Sequence, residues 1–205
     1  MHKTYIIFVL SAALVAALPA IAQAPTPGAP DATRVLAGSY KVDTNHTQVV
    51  WTVDHMGISP LSGAFGASGG ILSLDPAKPS AAKVTVTFNV AAMSTTVPAF
   101  TKHLSSADFF EVAKFPTATF TSTGVQASGD SAKITGSLTI KGITKPVTLD
   151  AKFYGAGVNP MGKKLNVGFT ATTSINRSDF GLGYALPVIP DRVELRIAAA
   201  FERVG

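Results

Sequence analysis

The chain has no cysteine. That absence removes disulfide scaffolds, thiol catalysis and cysteine-ligated zinc together, and leaves an apolar core to hold the fold unaided. Charge is also scarce: Asp, Glu, Lys and Arg make up 14% of the chain, against about 25% in an average globular protein. With 46% hydrophobic residues, such a chain folds rather than staying disordered. The net charge of +5 is spread thinly and the longest basic run is Lys163-Lys164, so the clustered footprint of a nucleic-acid partner is missing. Tryptophan occurs once and tyrosine four times. Two aromatic girdles, the mark of an outer-membrane barrel, cannot be built from so few rings. The length of 205 residues suits one folded domain.

Long hydrophobic runs are lacking too, with one exception at the start. Met1, His2 and Lys3 precede an uncharged, mostly apolar stretch from Tyr5 to Leu18, too short for a bilayer span of about 20 residues. Pro19 and the small-x-small site Ala22-Gln23-Ala24 follow, which makes residues 1–24 read as a cleaved export signal. Ala20-Ile21-Ala22 offers a second cut two residues earlier. The expected product is exported to the periplasm and keeps no stable membrane span. Residues 25–38, with Pro25, Pro27, Gly28 and Pro30 and no apolar period, read as a disordered leader. The folded domain is placed at 39–205.

From Tyr40 onward the apolar residues alternate with period two, the signature of half-buried strands. The clearest runs are 82–90 (Val84, Val86, Phe88, Val90), 132–141 (Ile134, Leu138, Ile140), 144–154 (Val147, Leu149, Ala151, Phe153), 164–176 (Val167, Phe169, Ala171, Ile175) and 192–203 (Val193, Leu195, Ile197, Phe201). Weaker runs cover 46–55 (Val49, Trp51, Val53), 61–74 (Phe65, Ala67, Ile71) and 116–126 (Ala118, Phe120). Eight such strands joined by short turns predict an all-β protein, an eight-stranded antiparallel up-and-down barrel with its apolar face inward. Pro98 and the three-to-four spacing of Phe100, His103 and Leu104 predict a short helical excursion near 98–112.

Several motifs have competing readings. Gly66-Ala67-Ser68-Gly69-Gly70 matches a nucleophile elbow, but the strand continues through Ile71 and Leu72 where that motif requires a helix. A bulged, glycine-rich strand is the better reading. His46, His55 and His103 could ligate a metal only by converging in space, since none of their spacings is that of one helix or strand face. Arg177, within Asn176-Arg177-Ser178-Asp179-Phe180-Gly181, could hold an anionic head group through its planar fork or stabilise a turn with a neighbouring Asp. Phe100, Leu104, Phe109, Phe110, Phe115 and Phe120 crowd around the helical excursion. Meanwhile Ala67, Ala118, Gly124, Gly136, Ala151, Ala171 and Ala199 fall on apolar faces, and bulk missing from a barrel interior suggests room for a ligand.

Taken in order, five blocks resemble one family: Tyr40-Lys-Val-Asp43 with His46, His55, Gly63 and Phe65; His103-Leu104-Ser-Ser-Ala-Asp108-Phe109-Phe110; Phe115-Pro116-Thr-Ala-Thr119-Phe120; Gly136 to Val147 through Gly142 and Pro146; and Asn176 to Gly181. Over Gly38 to Arg203 the chain is similar to the YceI-like family of polyisoprenoid-binding periplasmic proteins. Thr47 stands where that resemblance would place Ser, and keeps the hydroxyl. The resemblance implies a lipocalin-like extended barrel whose lumen accepts an isoprenoid or similar amphiphilic lipid, with no nameable catalytic activity; no metal or cofactor is expected from the residues. The residues expected to line the lumen are Trp51, Phe88, Phe120, Leu138, Phe153 and Phe169. Phe100, Leu104, Phe109 and Phe110 are expected at the mouth, with Arg177 beside the ligand. The competing functions are an enzyme acting on a small hydrophobic substrate through His55, His103 or Arg177, and a structural or partner-binding barrel with a collapsed lumen.

Overall fold

A computed structural model describes residues 26–204; the expected export signal lies outside them. The strands are β1 (Gly38–Val42), β2 (Gln48–His55), β3 (Ser59–Leu74), β4 (Lys83–Asn89), β5 (Thr117–Ser128), β6 (Ser131–Ile140), β7 (Ile143–Val158), β8 (Leu165–Asn176) and β9 (Arg192–Arg203), and α1 (Pro98–Leu104) joins β4 to β5. Every neighbouring pair is antiparallel and follows chain order from β3 round to β9. Both β1 and β2 pair with β3 on one side and β9 on the other. They are therefore two halves of one interrupted strand, and the nine segments occupy the eight positions of a closed barrel. Closure leaves no open edge between the first and last strands.

The interruption at 43–47 has a chemical reason. Thr47 is almost completely buried, and its hydroxyl both accepts from the Ala200 N–H and donates to the Ala200 carbonyl, each at 3.0 Å. A side chain thus replaces the ladder bonds that the departing backbone no longer makes. The hydroxyl retained at this position is the part that matters for the fold. Asp43 Oδ2, 2.7 Å from His46 Nδ1, closes the same turn.

The alternating faces point as the sequence implies: Lys83 and Lys133 are solvent-exposed while Val84, Val86, Phe88 and Ile134 face the interior. The exceptions sit at bulges, where one extra residue reverses the parity. In β3 the register shifts between Ala67 and Gly69, so Ile71, grouped above with the inward set, is exposed and Leu72 and Leu74 turn in. The same shift at Ser122/Gly124 of β5 hands the inner face from Phe120 to Val125. Ser68, the elbow candidate, lies on this bulged strand, and its Oγ donates to the Thr87 carbonyl at 3.3 Å.

One domain boundary needs correction. The stretch read as a disordered leader, 25–38, is ordered from residue 26 in this structure. Ala29 pairs with Ala156 through two backbone bonds of 3.1 and 2.9 Å, Ala32–Arg34 forms a short 3₁₀ turn capped by Asp31, and Val35 is buried. The cause is an unfilled edge: β6 pairs with β7 only as far as Lys152, so the last turns of β7 have free backbone groups that the N-terminal segment satisfies. This segment floors the barrel. Its first residues lie so close that a side chain on Gly157 would collide with the Pro27 carbonyl. The helical excursion is also shorter than the expected 98–112, with α1 ending at Leu104. No helix among the described residues is long and apolar enough to cross a membrane.

Candidate functional site

The barrel is not filled by its own side chains. A continuous cavity of about 680 Å³ runs along the axis, within the range of roughly 300–1,000 Å³ typical of ligand pockets. A collapsed lumen is thereby contradicted. The cavity touches α1 and the 182–189 loop at one end and reaches Ala32, Pro79 and Asp130 at the other. Its wall is almost wholly aliphatic and aromatic because the inward faces of all eight strand positions contribute to it.

The lining includes all of the residues expected there: Trp51, Phe88, Phe120, Leu138, Phe153 and Phe169 from the strands, Phe100 and Leu104 from α1, Phe109 and Phe110 from the turn after it, and Arg177. Several rings of the wall pair edge to face. Trp51 meets Phe100 at 6.4 Å, Phe65 meets Phe110 at 5.5 Å and Phe153 meets Phe169 at 5.8 Å between centroids, geometries that favour aromatic pairs. Phe115, from the same crowded stretch, lies elsewhere: its ring sits beneath the Lys114 ammonium at 5.0 Å.

Only some of the small residues create space. Ala118, Ala151, Ala171 and Ala199 border the cavity. Gly136 does not, because the far edge of the Phe120 ring stands where a Cβ would be. The missing bulk of Gly136 is thus filled by Phe120, which packs with Leu138, Phe180 and Leu182 as well as facing the lumen.

Arg177 lies in the wall but not as a free head-group clamp. It is 6% exposed, and its guanidinium donates to the carbonyls of Pro190 at 3.0 Å, Tyr184 at 2.8 Å, Ile189 at 2.7 Å and also Leu182. Four donations to one loop use most of the five N–H groups. Burial pulls its pKa below the usual arginine value, with Asp191 opposing. Burial also pushes Asp191 up, but hydrogen bonds from the Ser178 hydroxyl and backbone N–H, with the Arg177 charge, outweigh it and leave the carboxyl below its ordinary value. Arg177 thus holds the loop through its carbonyls, with Asp191 rather than the neighbouring Asp179 as the nearby acid, and the loop it gathers carries a lining residue that no periodicity marked, Tyr184.

Tyr184, His103 and Phe109 form a mutual cluster at the mouth, with centroids 5.1 to 5.4 Å apart, and His103 lies 3.8 Å from Asp108. His55 borders the same mouth, whereas His46 belongs to the strand interruption. No group of three His, Cys, Asp or Glu side chains converges as a metal site among the described residues. Phe65 and Leu195, also in the lining, follow the strand parity and were readable from it.

The YceI-like domain model matches residues 40–201. Protein YceI of Salmonella arizonae is 44% identical over 165 residues, covering 80% of this chain and 86% of the relative. The crystal structure of BcnA from Burkholderia cenocepacia superposes with a TM-score of 0.67 at 26% identity, covering 78% of this chain and 98% of that one. A polyisoprenoid-binding domain from Saccharophagus degradans shares the fold at 13% identity, with a TM-score of 0.58 over 83% of this chain and all of the other.

Proposed function

This chain belongs to the YceI-like family, and on that premise we propose that it is a carrier or binding protein that holds a polyisoprenoid or similar long-chain amphiphilic lipid inside the barrel. The observation that carries the reading is the continuous apolar cavity of about 680 Å³. Affinity comes from burial: each methylene moved from water into such a lumen contributes about 0.8 kcal/mol, and the aromatic edges lining it accept a flexible chain without requiring a fixed polar contact. The shared fold of the Saccharophagus degradans domain is consistent with this reading. Arg177, Asp191 and Ser178 are occupied by protein partners, which favours holding a ligand over transforming one.

The proposed location is the periplasm, supported by the charged start, short apolar stretch and small-x-small site of residues 1–24. N-terminal sequencing of the mature protein should begin at or near Pro25. A full-length product extracted only with membranes would overturn export. The binding reading is tested by mass spectrometry of organic extracts of protein purified from its native compartment. A reproducible prenyl or long-chain lipid is the expected result, and its absence alongside a lipid-loaded control carrier would refute the reading.

A further inference from the structure

One end of the barrel carries an uncovered apolar surface continuous with the cavity. Ile58 is 80% exposed, Val188 59%, and Met56, Val97, Tyr184 and Leu186 are exposed to lesser degrees. They belong to three segments that the strand register places side by side. Val53 pairs with Val193 and Leu61, so the β2–β3 turn holding Met56 and Ile58 adjoins the β8–β9 loop holding Tyr184 to Val188. The Ala64–Ser94 bridge brings Val97 to the other flank of β3. Met56 and Tyr184 belong to both the rim and the cavity wall, so apolar surface runs unbroken from solvent into the lumen. Exposed apolar patches of this kind mark interaction surfaces.

The charges beside the rim cancel locally. Arg192 lies 4.0 Å from Glu194, Arg177 is answered by Asp191, and the exposed Lys102 of α1 and Asp54 of β2 add one charge of each sign. Basic surplus gathers instead at the floor, where Lys41 and Lys164 share Glu202 at 3.2 and 2.9 Å beside Lys163 and Arg203. A partner recruited by charge would be drawn to the wrong end of the molecule. The rim therefore suits an apolar partner of no strong net charge, and Tyr184, with an apolar body and a polar tip, suits a boundary between hydrocarbon and water.

We propose that the Met56–Ile58 turn, Val97 and the Tyr184–Val188 loop dock this barrel onto a lipid bilayer, so that ligand passes between membrane and lumen without crossing water. The proposal rests on the lipid-carrier reading. It also supplies what that reading needs, because free desorption exposes every methylene of the chain to water at once.

The test uses mature wild-type protein, the rim variant Ile58→Asp/Val188→Asp, and Met161→Asp, an even more exposed apolar position at the floor. Neither Ile58 nor Val188 lines the cavity, so the rim variant should keep wild-type thermal stability and wild-type uptake of a fluorescent prenyl lipid from detergent micelles. On phosphatidylcholine vesicles, co-sedimentation and the rate of lipid transfer should both fall roughly tenfold or more, because two aliphatic side chains that entered the bilayer become charged. Met161→Asp should behave as wild type, and added salt should leave binding intact. The proposal is overturned if wild type stays off the vesicles, if the rim variant still binds them, or if Met161→Asp or salt abolishes binding. Wild type that loads from micelles but ignores vesicles defeats docking alone. Rim-dependent vesicle binding by a protein that takes up no lipid defeats the carrier reading alone.

Discussion

Filling the cavity separates a ligand site from an ordinary core by the sign of the result. Ala171 sits in the middle of β8, opposite Ala151 of β7 and Ile197 of β9, and borders the cavity. Ala171→Leu adds three carbon atoms to the wall. In open space the transfer gain is about 2.4 kcal/mol, at about 0.8 per methylene, reduced by about 0.5–1 kcal/mol of leucine rotamer freedom. Ligand-free protein should therefore gain about 1.5 kcal/mol. In a fully packed interior the same change forces strain costing about 1–3 kcal/mol. The variant should also bind a fluorescent prenyl lipid roughly 15- to 60-fold more weakly, because its new methyls take the place of two or three ligand methylenes. Urea denaturation of delipidated protein gives the first quantity and a lipid titration the second. Destabilisation of 1 kcal/mol or more with unchanged binding would show that the lumen near Ala171 is packed and the reasoning wrong.

Three further outcomes follow from the geometry. Phe88→Ala should weaken lipid binding while costing less than the roughly 3–5 kcal/mol of a fully enclosed phenylalanine, whereas Phe120→Ala, whose ring also covers Gly136, should reach that range; equal costs in urea denaturation would contradict the distinction. Arg177→Lys cannot reproduce four donations to the 182–190 carbonyls and should destabilise the protein by about 3 kcal/mol, with amide exchange in that loop rising first; an unchanged exchange pattern would mean that the loop is held by other contacts. Because the Asp191 carboxyl is held below its ordinary value, it contributes stability above the unfolded value of about 3.9 that is lost as pH falls through the folded one. Asp191→Asn should flatten the acid limb of melting temperature against pH, and parallel limbs would refute the linkage.

The barrel was legible because its physics is local. Each strand has one face on a lumen and one on solvent, so parity alone placed Phe88, Leu138, Phe153 and Phe169. Parity failed at Ile71 because a bulge depends on two strands, and a glycine pair in one of them marks its place only loosely. The floor was illegible for a different reason: residues 26–37 are ordered by the free edge of β7, more than 100 residues away, and their prolines carry no period to announce it. Tyr184 lies in a loop whose shape is set by one buried guanidinium, so its place at the mouth follows from Arg177 and not from any pattern in its own segment. Gly136 looked like empty space, yet the cross-strand neighbour of Leu138, Phe120, fills it.

The interrupted first strand has a consequence for the order of assembly. β1 and β2 fit between β3 and β9, and Tyr40 pairs with Arg203, so the slot for the earliest strand has only one wall until the last dozen residues are available. Bringing those ends together closes a loop of about 160 residues at an entropic cost of roughly 4–5 kcal/mol, recovered only when both ladders of the seam form. A chain emerging from the ribosome can zip hairpins from β3 to β8 as they appear, but its seam stays open until synthesis is finished. For a protein read as crossing a membrane before it folds, that delay is useful: β1 and β2 are held on one side only while the strand that would lock them in place does not yet exist.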